Sequence, residues 1–168
     1  FLTLIDLFPE AEVFTAVYDA EGTLGRFAER RVHTSFLQRM RPTSRSFRRY
    51  LPLYPQAMES LDLSGYDLVI SSSSAWAHGV IPDPGAVHVC YCHNPFRYAW
   101  NARRQTLADQ PRWLRPVLSS VFSRWRQWDW VAAQRVDRYL ANSVTTQQRI
   151  SRYFGRDSSV VYPPVDVA

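Results

Sequence analysis

Short apolar runs of strand length alternate along the chain with stretches whose apolar residues recur at helical spacing. The clearest run is Val87-His-Val-Cys-Tyr-Cys92, rich in β-branched and aromatic residues and of a length that suits a strand buried in a parallel sheet. His93-Asn94-Pro95 ends it, because proline has no N–H to give to a ladder. Five other runs predict strands: Glu12–Tyr18, Arg31–Phe36, Asp67–Ser71, Asp137–Ser143 and Ser159–Tyr162. Between them, Leu51–Leu61 and Val144–Tyr153 predict helices, the latter stopped by Gly155 at its C-cap position. Trp113, Leu114, Val117, Leu118, Val121, Phe122, Trp125 and Trp128 recur as one face of a longer helix, opposite Ser119, Ser120, Ser123, Arg124, Arg126 and Gln127. The four serines Ser71–Ser74 lead toward a helix from about Ala75, with hydroxyls placed to cap it or to line a site. Strands alternating with helices predict an α/β fold with a doubly wound parallel sheet.

Composition narrows this picture. The 168 residues suit one domain, and 46% hydrophobic with 14% aromatic content excludes a disordered chain. No apolar run is long enough to span a bilayer. Residues 1–8 carry no basic leader region, do not open on methionine, and read as the end of a helix, so a fragment is expected. The net charge is +5, and every one of the 20 basic residues is arginine. Arginine recognises phosphate through a planar fork, although a composition bias would give the same count. Arg31, Arg39, Arg41, Arg45, Arg48 and Arg49 make the most basic part of the chain. Only Phe47 and Tyr50 are there to stack on bases, so no nucleic acid is expected as partner. The tryptophans and arginines of 113–128 fit a core-facing helix, the commoner use of this pattern, with an interfacial helix on an anionic membrane as the alternative.

Candidate chemistry gathers after the strand Val87–Cys92, since ligands of open α/β sheets bind outside the carboxyl ends of strands. His93, Asn94, Arg97 and Tyr98 are delivered there. His88, Cys90, Cys92 and His93 lie close in sequence, but i, i+2 and i+4 along a strand are too far apart to share a tetrahedral ion, and His93 faces the other way. Cys90 and Cys92 imply no disulfide framework. No Gly-x-Ser-x-Gly elbow, P-loop or Gly-x-Gly-x-x-Gly occurs, and Asp67 and Asp137 open their strands at the wrong end for a pair of catalytic carboxylates.

The run His88-Val-Cys-Tyr-Cys-His-Asn-Pro-Phe-Arg-Tyr-Ala-Trp100 resembles a signature of family-4-type retaining glycosyltransferases. Tyr66-Asp-Leu-Val-Ile-Ser-Ser-Ser-Ser74, Ala141-Asn-Ser143 and Val161-Tyr-Pro-Pro-Val-Asp166 agree with it in order and spacing. The resemblance implies one half of a GT-B architecture. Residues 1–168 would be the N-terminal, acceptor-side Rossmann-like domain, without its first strand and glycine-rich loop, and 162–168 would begin the linker to a donor-binding domain. It implies His93 as the catalytic residue facing the transferred sugar. Asn94, Arg97, Tyr98, Ser73, Ser74, Asn142 and Ser143 would be substrate-binding. His78 stands where a lysine is expected in relatives, which would make a cationic role there pH-dependent. No cofactor and no metal are implied, the nucleotide-sugar donor being a co-substrate bound through the second domain. Transfer of a sugar such as mannose to a glycan or polyprenyl-diphosphate-linked acceptor follows, in bacterial cell-envelope polysaccharide biosynthesis. The location would be cytoplasmic, peripheral at the inner membrane face, and this segment alone would be inactive. The alternative from the residues themselves is a non-catalytic carbohydrate- or lipid-phosphate-binding module on the same fold, with a basic nucleic-acid-binding domain more remote.

Overall fold

The computed structural model describes residues 2–43 and 46–164, apart from the side chains of Leu2 and Arg48. Phe1, Arg45, Val165 and Asp166 therefore lie outside the described residues. The chain divides into two compact units, residues 1–65 with 80–83, and residues 66–79 with 84–168.

The first unit opens with α1 (Leu2–Leu7), followed by β1 (Val13–Thr15) and β2 (Val32–Thr34), which pair in parallel with Val13 opposite Val32. Both strands are shorter than their apolar runs. A 3-10 turn over Phe36–Met40 follows β2, capped by Ser35, whose Oγ accepts the Leu37 N–H and donates to the Ala16 carbonyl at 2.7 Å. Leu37 is thereby fully buried. The helix expected over Leu51–Leu61 is split: a 3-10 segment runs Phe47–Leu53 and α2 runs Tyr54–Glu59. Two prolines explain the break. Pro52 has no N–H to extend the first segment, while Pro55 fits the first turn of the second. In the arginine-rich region Arg31 pairs with Glu12 at 3.0 Å.

The second unit holds a four-stranded parallel sheet in the order β3 (Leu68–Ser73), β4 (Val87–Cys92), β5 (Arg138–Ala141) and β6 (Ser158–Val160). Helices α3 (Arg103–Ala108) and α4 (Arg115–Ala133) lie between β4 and β5, and α5 (Val144–Phe154) between β5 and β6. Strand alternation sends Cys90, Cys92, Tyr139 and Ala141 to one face, where they pack with Ala133, Val136, Ile150 and Phe154. Ser143 caps α5 by accepting the Thr146 N–H, and Gly155 closes it at φ 65° in the left-handed region. The run Ser71–Ser74 starts no α-helix. Three of its serines belong to β3, and the chain then bends into a 3-10 turn, Ala77–Gly79.

In α4 the apolar stripe divides lengthwise. Phe122 is buried, and Trp125 and Trp128 pack on Trp76 at ring-centroid distances of 5.5 and 5.4 Å. Trp113, just before the helix, is 77% exposed, and Val117 is exposed as well. Among the described residues no helix is long and apolar enough to cross a membrane.

Candidate functional site

The serine run of β3 works as a comb. Each of its three strand serines meets a different imidazole: Ser71 Oγ lies 2.9 Å from His88 Nε2, Ser72 Oγ 2.9 Å from His93 Nε2, and Ser73 Oγ 3.2 Å from His78 Nδ1. The β3–β4 register, with Ser72 opposite Tyr91, and the period of two decide the faces. Ser71 and Ser73 point inward with His88 and His78. Ser72 points outward with Tyr91 and His93.

On the inner face, His78 and Asp129 are fully buried together. His78 Nε2 lies 3.2 Å from Asp129 Oδ1, at ion-pair distance but poorly aligned for a hydrogen bond; its better-aligned acceptor is the Asp129 main-chain oxygen at 3.4 Å. Trp100 Nε1–H donates to Asp129 Oδ2 at 2.6 Å. Ser73, His78 and Asp129 thus bring together the three groups of a hydrolytic triad, but no substrate can reach a serine buried this deeply. Their role is to fasten α4 to the end of β3. Burial, reinforced by His78 and Arg135 and opposed by Asp137, brings the His88 pKa down to about 4. Burial pushes the Cys90 thiol up to about 12 and raises Cys92 likewise, so both remain unreactive thiols.

The outer pair is the accessible one. His93 follows β4, and its ring is held edge-on by Tyr91 with centroids 5.1 Å apart and planes at 89°. Its N–H donates to the Ser73 carbonyl at 2.8 Å, and its carbonyl accepts from Thr146 Oγ1 of α5 at 3.0 Å. Burial lowers the His93 pKa, so the imidazole is neutral near pH 7. The ladder continues across the neighbouring strand ends, with Asn142 N–H donating to the Cys92 carbonyl at 3.2 Å and Val161 N–H to the Ala141 carbonyl at 2.9 Å. Backbone pairing thus lines His93, Asn142 and Val161 along the carboxyl edge of the sheet. Tyr91 Oη closes the edge by donating to the Val161 carbonyl.

The expected site residues meet this edge unequally. Asn94 accepts from Arg149 Nη1 at 2.6 Å through Oδ1, on the α5 side. Arg97 and Tyr98 bind each other: Arg97 Nη2 donates to Tyr98 Oη at 2.9 Å, and the guanidinium stands 4.9 Å over the Tyr98 ring. Buried Phe96 packs edge-on against the Tyr98 ring, and Arg97 itself is exposed. Ser74 is exposed, whereas the Ser73 hydroxyl is buried toward His78 and only its carbonyl meets His93. The Ser143 hydroxyl is engaged in capping α5 and in bonding Asn142 Oδ1. Ser72, Thr146 and Arg149 escape a reading by motif. The alternation of Tyr91 and His93 would select Ser72 over Ser73 once the β3–β4 register was known, and Thr146 and Arg149 are set by how α5 packs back. His78, at the position expected to hold lysine, is an internal group. Among the described residues no three His, Cys, Asp or Glu side chains are placed to hold a metal ion.

A parallel α/β sheet of this kind defines a Rossmann-like domain, a fold whose ligands generally bind outside the carboxyl ends of the strands. The family model Glycosyltransferase Family 4 matches residues 3–168, and the chain belongs to that family. No curated protein and no solved structure matches it significantly.

Proposed function

We propose that the chain is the acceptor-side domain of a retaining, metal-independent glycosyltransferase that moves a sugar from a nucleotide-sugar to a lipid-linked or polysaccharide acceptor. Family membership supports glycosyl transfer, and one observation carries the assignment of the site. His93 stands at the carboxyl end of an interior strand, its main chain tied to β3 and α5 and its ring held by Ser72 and Tyr91. Front-face attack within a short-lived ion pair needs no protein nucleophile. It needs hydrogen-bond donors aimed at sugar hydroxyls and at the departing oxygen, and a neutral, rigid imidazole supplies one without reorganising. Asn94 and Arg97, with Tyr98, would bind the acceptor, Arg97 through a phosphate. The cytoplasmic, membrane-peripheral location belongs to the same proposal. Its lipid contact narrows to the exposed start of α4 at Trp113 and Val117, because Trp125 and Trp128 are engaged within the unit.

The test is His93→Ala in the full-length enzyme. Turnover with a nucleotide-sugar and a polyprenyl-diphosphate-linked acceptor should fall about 10²–10³-fold, as for loss of a preorganised donor, with the unfolding midpoint nearly unchanged. Unchanged turnover would remove His93 from the site. Saturable acceptor binding with no transfer in the unmutated enzyme would favour the binding-module alternative.

A further inference from the structure

A hydroxyl and a neutral imidazole nitrogen 2.9 Å apart can share a proton in two ways. If His93 Nε2–H donates to Ser72, the Nδ1 lone pair is what a ligand meets. If Ser72 O–H donates to Nε2, a ligand meets Nδ1–H. The two arrangements give the residue opposite chemistry, acceptor in one and donor in the other.

The surroundings of the pair choose between them. The Ser72 hydroxyl has no other hydrogen-bonding partner among the described residues, so nothing else competes for its proton. A neutral imidazole nitrogen is also a stronger acceptor than an aliphatic hydroxyl. Burial keeps His93 neutral, so that lone pair is present. Tyr91 packs edge-on against the ring, and the main chain of His93 is tied to Ser73 and Thr146.

We propose that Ser72 is a positioning residue for His93: its hydroxyl donates to Nε2, fixes the Nδ1–H tautomer, and leaves that N–H for an oxygen of the bound substrate. Resting on the reading that His93 faces substrate, this specifies what His93 does there. With Nε2 occupied by a hydroxyl, His93 donates to an alcohol, carbonyl or phosphate oxygen and takes no proton from it. The acceptor hydroxyl must then lose its proton to another group, for which the departing diphosphate oxygen is chemically suited.

The experiment is an imidazole ¹H–¹⁵N correlation spectrum of the whole ¹⁵N-labelled chain, which has only four histidines. The His93 signals are assigned by their loss in His93→Gln. The unmutated chain should show a pyrrole-type Nδ1 and a pyridine-type Nε2 for His93. Ser72→Ala should move His93 toward the Nε2–H form that free imidazole side chains prefer, while Ser72→Thr, which keeps the hydroxyl, should retain the original pattern. The signals of His33, His78 and His88 report whether each variant is folded. A pyrrole-type Nε2 in the unmutated chain overturns the proposal even if neither Ser72 variant folds, and so does an unchanged His93 pattern in folded Ser72→Ala. Because the readout needs no substrate, its failure is distinguishable from failure of the glycosyltransferase assignment, which the turnover of His93→Ala decides.

Discussion

At the scale of single residues, two glycines show how differently the same substitution can act. Gly79 ends the 3-10 turn after β3, and the Trp128 indole lies where a Cβ would go, so any side chain there overlaps the ring. Gly79→Ala should therefore destabilise by about 2–3 kcal/mol, the upper range for overpacking, measured as a lower denaturant midpoint. Gly155 has open space around it but a φ of 65°. Gly155→Ala should cost only about 1 kcal/mol, from backbone strain alone, and Gly155→Asn less, since asparagine tolerates that conformation. Equal losses at the two positions would contradict the packing described for α4. Of these, Gly155 was legible in sequence as a helix stop. Gly79 was not, because its constraint comes from a tryptophan 49 positions away in the chain.

Among the elements, legibility followed the range of the forces involved. Val87–Cys92 forms β4 with the boundaries its composition predicts, because the apolar run and Pro95 are both local signals. The helix α5 matches its expected span within one residue for the same reason, having a serine cap and a glycine stop. The helix expected after Ser74 gives way to strand and turn. Ser71, Ser72 and Ser73 extend β3, with their hydroxyls bonded to imidazoles 17, 21 and 5 residues distant, and no local rule foresees those partners. The same blindness explains the site: His93 and Asn94 follow from β4 alone, but choosing Ser72 over Ser73 needs the register, a long-range quantity.

For the whole molecule, the buried histidine of the inner face gives a pH dependence. Unfolded, His88 has an ordinary pKa near 6.5; folded, burial first and then the neighbouring His78 bring it down to about 4. Above pH 6.5 both states leave it neutral and it contributes no penalty. Between pH 6.5 and 4 the unfolded chain binds a proton that the folded chain refuses, so stability falls. The loss is complete below pH 4 and amounts to about 3 kcal/mol. Chemical denaturation at successive pH values should show this decline, and His88→Gln should flatten it relative to the unmutated chain. Identical slopes would mean that His88 takes up its proton equally in both states.

The four-serine run has a consequence for how β3 can be copied and altered. Removing any one serine still leaves serine at positions 71, 72 and 73, since Ser74 moves up to fill the gap. Sliding the strand by one residue so that Ser72 takes the place of Ser71 likewise brings a hydroxyl to each strand position, whereas the opposite slip would put Ile70 there. In that one direction the comb is indifferent to its own alignment. What encodes the alignment must lie at the flanks: Asp67, whose carbonyl takes the Val87 N–H at 2.8 Å, and Trp76, wedged against Phe96, Trp125 and Trp128. A deletion within the run keeps the chemistry and displaces the wedge, so it is the tryptophan that decides whether such a length variant survives.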